Sequence, residues 1–80
     1  MPLTIADFTP VKIAADARML LDEVRRGGLE CYVAPDASPR LMADFYVEYL
    51  YSLPGEAPDL SDADCHAIFD AMEEALISIA

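Results

Sequence analysis

Ser61-Asp62-Ala63-Asp64-Cys65-His66-Ala67-Ile68-Phe69-Asp70-Ala71-Met72-Glu73-Glu74-Ala75-Leu76-Ile77-Ser78-Ile79 is the longest periodic stretch of the chain. At about 100° per residue, Cys65, Ile68, Phe69, Met72, Leu76 and Ile79 fall on one face, which predicts an amphipathic helix over residues 62–79. Ser61 followed by Asp64 has the spacing of a capping box, with Asp standing where Glu is usual. Asp62 and Asp64 also suit the positive start of a helix. The face beside the apolar stripe carries Asp62, His66, Asp70, Glu73 and Glu74, and it presents an acidic strip.

Working back from this segment, Leu53-Pro54-Gly55 closes an earlier helix, and the residues up to Leu60 read as a linker. That second helix is expected over Pro39–Ser52. Ser38 is its N-cap, and Pro39 sits at the first position, where its missing N–H costs nothing. Its core stripe is expected to be Met42, Phe45, Tyr46, Tyr49 and Leu50, extended by Leu53. Asp44, Val47 and Tyr51 point the other way, and Arg40 and Asp44 have i,i+4 spacing for an ion pair. Further back, Thr9 and Pro10 open a first helix that runs to Arg26, with Phe8 and Ile13 placed for a hydrophobic staple. Ile13, Ala17, Leu20, Leu21 and Val24 form its inner face, and Gly27-Gly28 stops it.

The remaining segments are short. Leu29–Ala34 alternates as a strand does, Leu3–Ala6 is a weaker strand candidate, and Pro35–Ser38 is a loop. If the two strands pair, they form a parallel β-α-β unit. The expected fold is therefore mainly α, with α+β as the variant: three helices and one or two short strands in a single domain over residues 1–80.

The chain has 80 residues, 55% of them hydrophobic, too apolar for a disordered chain. A domain this small buries only roughly 60% of its unfolded surface. The apolar surplus points to a homodimer or to a partner-binding patch. Met19 and Ile77 are off-stripe apolar residues of this kind. Net charge is −10 and unevenly placed. Residues 1–40 hold all five bases (Lys12, Arg18, Arg25, Arg26, Arg40) and six acids, whereas residues 41–80 hold nine acids and no base. Direct nucleic-acid binding is disfavoured, because phosphate contacts need Lys and Arg. A basic protein partner is favoured. The competing reading is that the acids only keep a small apolar protein in solution.

Few residues carry chemistry. His66 is the only histidine and has no sequence-level partner, so it reads as a surface residue near acids. No second ligand cluster of zinc type accompanies Cys65 and His66. The stretch from Asp59 lacks the glycine and terminal glutamate of a calcium loop. With no phosphate loop and no nucleophile beside an obvious base, the chain is expected not to be an enzyme and to use no cofactor or metal. The opening Met1-Pro2-Leu3 has no signal-peptide character, and no run approaches a membrane span. Cys31 and Cys65 are therefore expected as reduced thiols in a cytoplasmic protein.

The candidate partner-binding residues are Asp44, Glu48, Tyr51, Asp62, Asp70, Glu73 and Glu74, with Val47 as a second apolar anchor beside Tyr51. Carboxylates spaced by helical turns of about 5.4 Å imitate a phosphate track. An exposed Tyr beside them adds contact area at low entropic cost.

In size, acidity and lack of catalytic motifs, the chain resembles small acidic inhibitor proteins of phages and bacteria, anti-CRISPR proteins among them. That resemblance implies a non-catalytic inhibitor that occludes the basic nucleic-acid surface of a CRISPR effector subunit in a bacterial host cell. Immunity proteins and antitoxins, which cap a toxin, share the same features. A homodimeric interaction protein is the structural alternative. Acyl carrier proteins are similar in size and charge, but their Asp-Ser-Leu motif is replaced here by Asp59-Leu60-Ser61.

Overall fold

The computed structural model describes residues 2–27 and 36–79. Among the described residues, three helices make up the fold: α1 (Pro10–Arg25), α2 (Pro39–Leu50) and α3 (Asp62–Ile79), preceded by a 3-10 turn at Ile5–Asp7. Each α-helix starts where its local chemistry directs. The Thr9 hydroxyl accepts the Lys12 N–H at 3.2 Å, and the Ser38 hydroxyl accepts that of Leu41 at 3.2 Å. At α3 the cap is reciprocal: Asp64 N–H donates to Ser61 Oγ at 3.1 Å, and Ser61 N–H donates to Asp64 Oδ2 at 3.2 Å. These bonds satisfy donors that the first turn of a helix leaves without partners. α1 closes at Gly27, which takes φ 79°, a conformation that costs other residues a Cβ clash.

The core has one layer of side chains from each helix. α1 contributes Ile13, Ala17, Leu20 and Val24, α2 contributes Met42, Ala43, Tyr46 and Leu50, and α3 contributes Ile68, Met72 and Leu76. α3 is the central element and packs on both α1 and α2. Its apolar stripe is accordingly the most deeply covered, with Ile68, Met72 and Leu76 all but sealed from solvent. Ala17 and Ala43 are fully buried, and their small side chains permit close helix approach.

The buried face of α2 differs from expectation. Ala43 and Val47 turn inward, while Tyr49 and Leu53 are exposed. The helix is rotated by roughly 50° from the face that its aromatics define, about half a residue step. Tyr49 instead stacks on Phe45, with ring centroids 6.1 Å apart.

The strand expectation for Leu3–Ala6 is corrected. Thr4 makes one isolated parallel bridge with Asp59, and the Asp59 N–H donates to the Leu3 carbonyl at 2.8 Å. The chain then turns at once, because the Asp7 carboxylate accepts the Thr4 N–H at 2.8 Å and draws Ile5–Asp7 into the 3-10 turn. The result is a strap that ties the N-terminal segment to the loop before α3. The strand expected at Leu29–Ala34, with Cys31, lies outside the described residues. Among the described residues, no helix is long and apolar enough to cross a membrane.

Candidate functional site

The outer faces of α2 and α3 meet along an open groove. Its larger part, about 640 Å³, is lined by Ser38, Arg40, Leu41 and Asp44 from the α2 side and by His66, Phe69 and Asp70 from α3. An adjoining part of about 260 Å³ shares Asp44, His66 and Phe69 and adds Val47, Asp62 and Cys65. Packing of α2 on α3 thus brings Asp44 together with Asp62 and Asp70 around His66. Asp62, His66 and Asp70 lie one turn apart on α3, so the helix itself ranks them along the groove. Asp44 joins them because the inward turn of Ala43 leaves the next residue on the rim.

Glu73 has a different role from the three aspartates. Its carboxylate is partly buried and pairs with Arg40, with Nη1 3.8 Å from Oε2. The Arg40 guanidinium also lies over the Phe69 ring, 5.0 Å from its centroid. The expected i,i+4 pair of Arg40 with Asp44 is therefore replaced by a contact across the two helices. The Phe69 face and the Glu73 carboxylate lie on the same side of α3, and together they outcompete a neighbour on α2. Glu48 and Glu74 are exposed but do not line the groove.

Tyr51 stands at the C-terminal end of α2, exposed, with its hydroxyl 3.3 Å from Cys65 Sγ. That contact with the thiol raises the Tyr51 pKa above its ordinary value, helped by desolvation and by the charges of Cys65, Asp62 and Asp64. Cys65, expected in the core, is only half-buried and turns its thiol to Tyr51 at the groove edge. Val47, expected to stand beside Tyr51 as an exposed anchor, is partly buried against the core and forms groove wall. Met19 and Ile77 are exposed, at 67% and 60%.

The groove floor was the part least visible in sequence. Phe69 looks like a core residue by its period, yet it is half-buried and faces both parts of the groove. The available signal was its place at the margin of the α3 stripe, next to the acidic strip.

Chemically the site suits a cation with an apolar side. Among the described residues, three carboxylates line it and Arg40 is the one Lys or Arg that does. Among the described residues, no three His, Cys, Asp or Glu side chains converge closely enough to hold a metal ion. Compared with family models, curated proteins and solved structures, the chain matches none.

Proposed function

We propose that the protein is a non-catalytic inhibitor that docks its α2–α3 acidic face on the basic, nucleic-acid-binding surface of another protein. The observation that carries this reading is the gathering of Asp44, Asp62 and Asp70 from two helices into one groove. Asp62 and Asp70 stand two helical turns apart on α3, about 12 Å along its axis, and Asp44 adds a third carboxylate from α2, so the groove offers a basic surface several anionic points to meet. Like-charged groups held together in this way attract a partner rich in Lys and Arg and raise the rate of encounter. Leu41, Val47, Phe69 and Tyr51 supply apolar area beside the charges, which gives the complex lifetime once formed. CRISPR effector subunits and basic toxins both offer a surface of this chemistry.

The test compares wild type with the triple variant Asp44→Asn, Asp62→Asn, Asp70→Asn as baits in bacterial lysate, at low and high salt. The expected result is capture of a nucleic-acid-binding protein by wild type only, with release by duplex DNA and by salt. Equal capture by both baits, or capture indifferent to DNA, would rule the reading out.

A further inference from the structure

The groove already holds one guanidinium, its own. Arg40 lies over Phe69 at 5.0 Å, yet its side chain is 73% exposed, and its single carboxylate contact among the described residues, to Glu73, is at 3.8 Å, near the limit of an ion pair. A loosely held guanidinium on an aromatic floor, with Asp44 and Asp70 on the same groove, has the chemistry of a binding site seen with a placeholder in it. A planar guanidinium stacks on a ring and offers a fork of donors to carboxylates, whereas an ammonium is a compact, strongly hydrated point charge.

We infer that the groove receives an arginine side chain of the basic partner, seated against the Phe69 ring between the Asp44 and Asp70 carboxylates, and that Arg40 covers that ring until it arrives. The inference rests on the proposed docking of the acidic face and adds to it a preference for arginine over lysine. Charge complementarity identifies the occupant as a partner and not a second copy. Each chain carries a net charge of −10, so two copies repel, and Lys12 and Arg26 are engaged by acids of α1.

The experiment measures binding of capped hexa-arginine and hexa-lysine peptides, equal in charge, at low salt. Wild type is expected to favour the arginine peptide by about twofold, a part of an exposed cation–π contact, because an ammonium also gains from the ring but lacks the planar fork. Arg40→Gln removes the placeholder from an exposed position without disturbing the core. It strengthens both peptides through charge, and it widens the arginine-to-lysine ratio because the ring face is free. Phe69→Leu, checked for helicity, lowers that ratio towards one, leaving only what the guanidinium fork gains from the carboxylates. Equal binding of the two peptides by wild type overturns the inference and leaves the charge reading standing. Binding of neither peptide overturns both. An arginine preference that ignores Arg40→Gln places the guanidinium elsewhere and overturns the inference. So does a dimer in light scattering that hexa-arginine fails to dissociate, which would make a second copy the occupant.

Discussion

Tyr46 on α2 donates its phenolic proton to Asp16 Oδ2 on α1 across 2.6 Å, and Lys12 Nζ reaches the same oxygen at 3.1 Å. α3 carries the main packing of both helices, so this bond is a direct tie between the other two. Tyr46 is 6% exposed, and its hydroxyl would be costly to leave without an acceptor. Burial first, then the hydrogen bond and charge of Asp16, raises its pKa well above the ordinary value.

Tyr46→Phe should therefore cost about 1.5 kcal/mol near neutral pH, as a hydrogen bond to a charged acceptor does. The folded state holds Tyr46 protonated while the unfolded state ionises near pH 10, so its contribution is complete below pH 10 and shrinks above it. At pH 11 the wild-type advantage should have narrowed by about 1.4 kcal/mol. Urea unfolding of both proteins at pH 8 and 11 checks this. A constant gap would show that Tyr46 ionises alike in both states.

Leu76→Ala should be the more damaging change. Leu76 has no exposed surface and sits on the central helix. Removing its side chain loses transfer energy and leaves a cavity, a cost of about 3 kcal/mol. For a domain of this size that is a large share of a total of roughly 4–12 kcal/mol. The urea midpoint should fall sharply with little change in slope. The same change at exposed Ile77 should leave the midpoint within about 0.5 kcal/mol of wild type.

Ser61→Ala should lower stability by about 1 kcal/mol and the thermal midpoint by about 4–8 °C, because it removes half of the reciprocal cap of α3. Ser61→Asp should restore most of the loss, since Asp caps as well as Ser. Differential scanning calorimetry of the three proteins separates a capping role, which the Asp variant rescues, from a need for the hydroxyl itself.

The caps at Thr9, Ser38 and Ser61 were legible because each depends on residues three apart, and so were the helix ends, within two residues. The inner face of α1, and that of α3 apart from Cys65 and Phe69 at its margin, were legible for a similar reason, since a strong period fixes which way a helix turns. What sequence could not supply was set by packing between helices. Tyr46 and Asp16 are 30 positions apart, and no local pattern joins them. Arg40 has Asp44 one turn away but goes to Phe69 and Glu73, because packing of α2 on α3 presents a ring and a carboxylate together. Leu3–Ala6 has the composition of a strand, but among the described residues it makes one bridge, to Asp59, and the Asp7 cap on Thr4 turns the chain into a 3-10 turn instead. The acidic strip was read from α3 alone, and its conversion into a groove needed Asp44 from α2.

The acids of that groove should be dispensable for folding. Asp44 is one turn from Glu48, and Asp70 is one turn from Glu74, and like charges at i,i+4 repel. Neither Asp44 nor Asp70 is in an ion pair among the described residues, since Arg40 is taken by Glu73. The double variant Asp44→Asn, Asp70→Asn should therefore be as stable as wild type or more so, by about 0.2–0.5 kcal/mol per site at low salt. The gain should vanish near 1 M salt, where screening acts within ~3 Å. The same variant should bind hexa-arginine more weakly than wild type at low salt. Thermal melts at two salt concentrations, run beside the peptide titration, give both quantities from one preparation. Lost binding with unchanged or raised stability would mean that these carboxylates are kept at a cost to the fold, as a binding surface is. A variant that melts lower would give Asp44 and Asp70 a structural role, and the case for an electrostatic docking face would lose its main support.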